Sequence, residues 1–182
     1  MKKLFIIFLG FSTLSACKKD TSNDYMEAES YFDLPTYIVE GLTGIEQDSV
    51  LKTSSNGLDT EVLKISKEEM LKSLEFLSRI DINKSAWKGK FIVDSISSAE
   101  GLEIKYTQND PKINIEELSV LDEDKDGKID QCTVIKQTDS PLSSWSQKIT
   151  FHPKNKRLEI LNELDKTLGK EKESYIKLAY EW

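Results

Sequence analysis

The chain has 182 residues, 31% of them charged and 38% apolar, and carries a formal net charge of -7. That length suits a single domain able to bury a core without disulfide staples. Acids and bases are interleaved and no basic stripe stands out, so the acidic surface repels phosphate backbones and excludes nucleic acid as a partner.

Met1 is followed by Lys2 and Lys3 and then by the apolar run Leu4-Phe5-Ile6-Ile7-Phe8-Leu9-Gly10-Phe11. The run falls short of the about 20 apolar residues that a membrane-spanning helix needs, and it has the length of a signal-peptide core. The segment ends in Leu14-Ser15-Ala16-Cys17. This resembles the lipobox of bacterial lipoprotein signal peptides: a leucine, two small residues that enter a narrow protease site, and the cysteine that takes the lipid. The resemblance implies that residues 1–16 are removed and that Cys17 carries a diacylglycerol and an acylated amine. Several acyl chains together anchor a protein stably, where one is marginal. Lys18 stands where an aspartate retains lipoproteins of enteric bacteria in the inner membrane, which implies the outer membrane, on its periplasmic face or at the cell surface. Loss of Lys2 and Lys3 leaves 23 basic side chains against 32 acidic ones, a balance of -9.

Cys17 is followed by the polar segment KKDTSNDYMEA, so residues 17–28 read as the lipidated cysteine and a flexible tether, and residues 29–182 as one domain. Asp33 and Pro35 suit a helix start, and Leu34, Ile38, Leu42 and Ile45 recur on one helical face. A hairpin follows, with strands at 49–53 and 60–65 around the turn signal Asn56-Gly57. Ser66 and Glu69 form a capping box for a second helix whose buried stripe is Met70, Leu74, Leu77 and Ile80. From Gly89 the period changes to two. Strand signals lie at 90–94, 102–106, 113–120 with a bulge, 129–135, 145–151, 158–161 and 175–180. Short connections pair neighbouring strands as antiparallel hairpins. The expectation is an α+β fold with two helices on one face of an antiparallel, curved sheet of about six to eight strands.

The sharpest local chemistry is Asp122-Glu123-Asp124-Lys125-Asp126-Gly127-Lys128-Ile129-Asp130. It resembles the first nine positions of a calcium loop of the EF-hand type. The resemblance places carboxylates of Asp122, Asp124 and Asp126 on one ion, a tight turn at Gly127, the Lys128 carbonyl as a ligand, and Asp130 acting through water. Position twelve is Thr133 where a bidentate glutamate belongs, and the flanks read as strands. A solvated hairpin turn explains the same residues, because Asp and Gly are favoured there for backbone reasons alone.

Little else carries chemistry. His152 is the sole histidine, and Cys132 reads as a small buried residue with a free thiol. Together they form the one nucleophile–base combination available, with nothing in the sequence to bring them together. Trp87, Trp145, Trp182, Tyr106, Tyr175 and Tyr180 read as core and sheet packing before they read as a glycan or peptide surface. The expectation is therefore a membrane-anchored envelope lipoprotein: a non-catalytic binding or structural module for a protein, glycan or small ligand, with calcium the one cofactor in view. A carrier or chaperone for lipid or outer-membrane protein is the first alternative and would need a lined cavity. A carboxylate-using hydrolase is the second and would need two carboxyls with displaced pKa in a deep pocket.

Overall fold

A computed structural model of the chain describes residues 30–141, 143–166 and 174–182. The expected signal peptide, Cys17 and the tether up to residue 28 lie outside the described residues.

Helix α1 spans Leu34–Thr43. Asp33 caps it through the Thr36 N–H at 3.1 Å and the Thr36 hydroxyl at 2.8 Å. The helix closes at Gly44, whose N–H reaches the Glu40 carbonyl at 2.9 Å. The stripe Leu34, Ile38, Leu42 and Ile45 is buried as expected. Strands β1 (Ser49–Ser55) and β2 (Thr60–Ser66) form the hairpin. Its turn is held by Asn56 Oδ1, which accepts the N–H groups of Leu58 and Asp59.

Helix α2 spans only Lys67–Ser73, capped by Ser66 Oγ, which accepts the Glu69 N–H at 3.1 Å. It gives way to a 3-10 turn at Glu75–Arg79, so the long second helix of the sequence reading is broken in two. Hydroxyls of Ser73 and Ser78 bond back to the carbonyls of Glu69 and Glu75, a competition that weakens helix continuation. Met70, Leu74, Leu77 and Ile80 are buried nonetheless. A second 3-10 turn, Ser85–Trp87, leads to the meander β3 (Phe91–Ser98), β4 (Gly101–Gln108), β5 (Ile115–Asp122), β6 (Gln131–Asp139), β7 (Ser143–His152), β8 (Arg157–Lys166) and β9 (Ser174–Glu181).

Among the described residues the nine strands form one antiparallel sheet in the order β2-β1-β9-β8-β7-β6-β5-β4-β3. The fold is α+β, but the sheet is larger than the expected six to eight strands and is not strongly curled. The physical reason is the closing move of the chain. The N-terminal hairpin pairs with β9, the last strand, instead of covering the meander. This extends the sheet sideways and leaves β2 and β3 as separate edges. The expected bulge is present as a register shift between Ile115 and Glu117.

Register pairs sort the side chains onto two faces. The inner face carries Ile65, Val50, Tyr180, Leu158, Phe151, Cys132, Val120 and Ile104 across the sheet. Leu34, Ile38, Met70, Leu77 and Ile82 from the helical layer close over it, each at most 1% exposed. A Cβ placed on Gly41 would lie 2.6 Å from Cζ of the fully buried Phe151. A glycine in the middle of α1 is therefore what lets the helix approach β7. The outer face is lined by polar and charged residues such as Thr150, Thr133, Glu159, Lys177, Lys105 and Glu117.

Candidate functional site

The acidic segment forms the connection between β5 and β6, flanked by strands as the sequence implies. The ladder runs on one step past β6, the Asp130 N–H reaching the Leu121 carbonyl at 2.8 Å. Asp122 is buried at 4% exposure. Its Oδ1 accepts the Asp126 N–H at 3.1 Å and its Oδ2 the Gly127 N–H at 2.7 Å. Asp126 accepts the Lys128 N–H at 2.9 Å and pairs with the Lys128 ammonium at 3.2 Å. Together these hold its carboxyl below the usual carboxylate range, the backbone bond being the larger cause. Asp130 Oδ2 accepts the Glu123 N–H at 2.9 Å.

The remaining oxygens meet a cation supplied by the protein. Lys154, in the turn between β7 and β8, places its ammonium 3.1 Å from Asp124, 3.4 Å from Asp130 and 3.9 Å from Glu123. Hydrogen bonds to Asp124 and Asp130 raise the pKa of Lys154. Lys125 adopts a left-handed conformation, φ 56°, and reaches Ser97 Oγ and the Ser98 carbonyl at 3.0 and 2.9 Å. It thereby ties this turn to the one between β3 and β4. Gly101 makes that approach possible, since a Cβ there would lie 2.4 Å from the Asp122 carbonyl oxygen.

The five expected calcium ligands, Asp122, Asp124, Asp126, Lys128 and Asp130, are thus neighbours in one turn, but the carboxylates of the four aspartates meet backbone N–H groups and lysines. Among the described residues no three metal-ligating side chains are gathered so that they could hold one ion. The donor set favours a self-neutralised turn, with Lys154 in the role of the cation. Lys154 lies 30 residues from Asp124 in sequence, and no local pattern announces it.

Cys132 and His152 are on opposite faces. Cys132 pairs with Phe151 on the inner face, so the next residue, His152, points outward. Burial pushes the Cys132 thiol up to about 12, which leaves almost no thiolate at neutral pH. The thiol is free and buried, as read from the sequence. Tyr106 and Tyr180 are in the core, and Trp182 stacks near Phe151 with ring centroids 6.1 Å apart.

Several charges of the outer face pair with one another. Glu159 lies between Lys177 at 2.8 Å and Arg157 at 2.7 Å, and Arg157 also reaches Glu181 at 3.1 Å. The Lys177 hydrogen bond is the main cause of the lowered pKa of Glu159. A cleft of about 360 Å³ opens at the far end of the sheet from the acidic turn, between the β4–β5 connection and the end of β6. It is lined mainly by polar side chains, among them Gln108, Asn114, Glu116, Gln137 and Thr138.

No family model matches the chain, and no curated protein or solved structure is significantly similar to it.

Proposed function

We propose that the chain is a lipid-anchored, non-catalytic binding or structural module of a bacterial cell envelope, held to the outer membrane through Cys17. The observation that carries this reading is the segment Lys2-Lys3, apolar run, Leu14-Ser15-Ala16-Cys17. Charge, run length, small residues and cysteine there agree on one processing route. The tether of residues 18–28, 11 residues long, would let the domain stand at most about 40 Å from the anchor.

Two features of the domain support a binding module over the alternatives. The space between helices and sheet is filled by Leu34, Ile38, Met70, Leu77, Ile149 and Phe151. That argues against a carrier whose cargo lies beneath the helices. Every carboxyl with a resolved shift among the described residues moves down: Asp110, Asp126, Asp139 and Glu159. Ion pairs and hydrogen bonds hold these four groups as anions, so none of them is the protonated acid that a hydrolase needs near neutral pH.

The test is processing in a Gram-negative host. Cys17→Ser should abolish acylation and cleavage and move the protein out of the detergent-extracted membrane fraction. Unchanged processing and partition in that variant would overturn the reading.

A further inference from the structure

Residues 56–64, the tip of the N-terminal hairpin and most of β2, are all exposed. At the tip, Asn56 Oδ1 accepts the Leu58 N–H at 3.0 Å and the Asp59 N–H at 2.8 Å. The next nitrogen along the chain, that of Gly57, meets no backbone carbonyl among the described residues and donates only a long bond, 3.4 Å, to Ser55 Oγ. Gly57 has φ 84°, a conformation that side chains rarely adopt, and a Cβ there would lie 2.7 Å from the Tyr175 hydroxyl. The turn therefore requires glycine at 57, and the nitrogen has no side chain of its own to shield it.

We infer that Asn56 is a site of spontaneous deamidation in the folded protein, with the Leu58 and Asp59 N–H groups holding the charge that forms on its Oδ1. Hydroxide takes the proton of the Gly57 N–H, and the nitrogen attacks Cγ of Asn56. As the bond from nitrogen to Cγ forms, negative charge moves onto Oδ1, where the two donors already point. The charge then returns, the bond from Cγ to Nδ2 breaks, and Nδ2 takes a proton from water and leaves as ammonia. The product is a succinimide ring. Water opens it at one of its two carbonyls, giving either an aspartate at position 56 or its isoaspartyl isomer. The net change is water in and ammonia out, with no oxidant or reductant.

Other asparagines lack one or more of these features. Asn83 is locked at both ends of its amide: Oδ1 accepts the Tyr31 N–H at 2.6 Å, and Nδ2 donates to the Tyr31 and Phe32 carbonyls at 3.2 Å each. Asn162 lies within β8 and accepts from Gln147 at 2.7 Å. Asn155 is the nearest comparison, since it is exposed, sits in a turn and precedes a left-handed residue, Lys156 at φ 53°. There the following nitrogen carries a lysine side chain beside it and already donates to the Pro153 carbonyl at 3.1 Å. In an enclosed site one donor aimed at a developing oxyanion is worth about a hundredfold or more in rate, and in open solvent two such donors contribute a fraction of that.

The products act on the edge of the sheet. The aspartate adds a negative charge beside Asp59 and Glu61. The isoaspartate lengthens the main chain of the turn by a methylene, where the Asn56 N–H meets the Asp59 carbonyl at 3.2 Å. Ile65 is the one buried side chain of β2, so the loosening stays at the edge and leaves the helical layer in place.

The test is prolonged incubation of the full-length chain, purified in a non-ionic detergent, in mildly alkaline buffer. Trypsin then releases residues 53–64, in which Asn56 carries the only side-chain amide. Mass spectrometry reads the exchange of amide for carboxyl, and enzymatic methylation reads isoaspartate. A parallel digest that cuts after acidic residues follows Asn109, Asn114 and Asn155. Asn56 is expected to convert at least about tenfold faster than each of these. Isoaspartate should appear together with aspartate, and the rate at Asn56 should be no lower in the folded chain than in urea. Asn56→Ser, which keeps an acceptor oxygen at the turn, should abolish the early release of ammonia. A lead smaller than tenfold over any of the three, or early ammonia undiminished in Asn56→Ser, would overturn the site. Aspartate without isoaspartate would overturn the ring mechanism. A folded rate below the rate in urea would overturn the part given to the Leu58 and Asp59 donors.

Discussion

Asp122 offers the clearest test of what the acidic turn is for. Its two oxygens hold the Asp126 and Gly127 N–H groups at 3.1 and 2.7 Å in a buried position. Asp122→Ala leaves both donors without their carboxylate. A hydrogen bond to a charged group contributes about 1.5–3 kcal/mol, and an orphaned buried donor costs about 1–3 kcal/mol. The two bonds share one carboxylate, and both donors are only partly buried, so water recovers part of the loss. The expected destabilisation is about 2–3 kcal/mol, a fall in Tm of roughly 5–10 °C for a domain of this size. Asp122→Asn keeps one acceptor oxygen and turns an amide donor towards the second N–H, so about half that loss is expected. The assay is urea unfolding followed by tryptophan fluorescence, in chelator and again in several millimolar calcium. If the carboxylate is a backbone clamp, each loss is the same in both buffers. A loss smaller than about 0.5 kcal/mol would refute the clamp, since that is the ordinary scatter of surface substitutions. A loss confined to the calcium buffer would restore the metal-loop reading in place of Lys154.

Three further outcomes follow from the geometry. Gly41→Ala should destabilise by about 1–3 kcal/mol although alanine is the better helix former, because its Cβ overpacks against Phe151; Phe151→Leu in the same chain should recover part of the loss, measured by the same unfolding curves. Cys132, buried and with its pKa pushed up to about 12, should react with a maleimide only at the rate of unfolding, so sub-stoichiometric denaturant should accelerate labelling and a change from pH 7 to pH 8.5 should hardly do so. Glu159 has a lowered folded pKa, so its contribution is fully present above about pH 4.5, the unfolded value, and is lost as pH falls through the folded value; Glu159→Gln should flatten the acid limb of a stability-versus-pH profile there and leave its neutral region little changed in slope.

The sequence made the local devices readable because each is a short-range matter of backbone chemistry. Asp33 and Ser66 cap helices, Asn56-Gly57 turns a hairpin, and the alternation of Leu102, Ile104 and Tyr106 marks a strand. The long-range arrangement was harder. Nothing in Ser49–Ser55 indicates that it pairs with Ser174–Glu181 at the opposite end of the chain, and that pairing makes the sheet wide. Thr133 is 8% exposed although it lies on the outer face, so burial there does not follow polarity. The acidic turn was visible as carboxylates with Gly127, but its neutralising partner arrives from Lys154 across the β7–β8 turn.

Anchoring through Cys17 is read out by the intact mass of the protein extracted from the membranes of a Gram-negative host. The expected product begins at Cys17, lacks residues 1–16 and carries the added mass of a diacylglycerol and an amide-linked acyl chain. A chain that retains Met1 or is cut at another residue, with no lipid mass on Cys17, would contradict it.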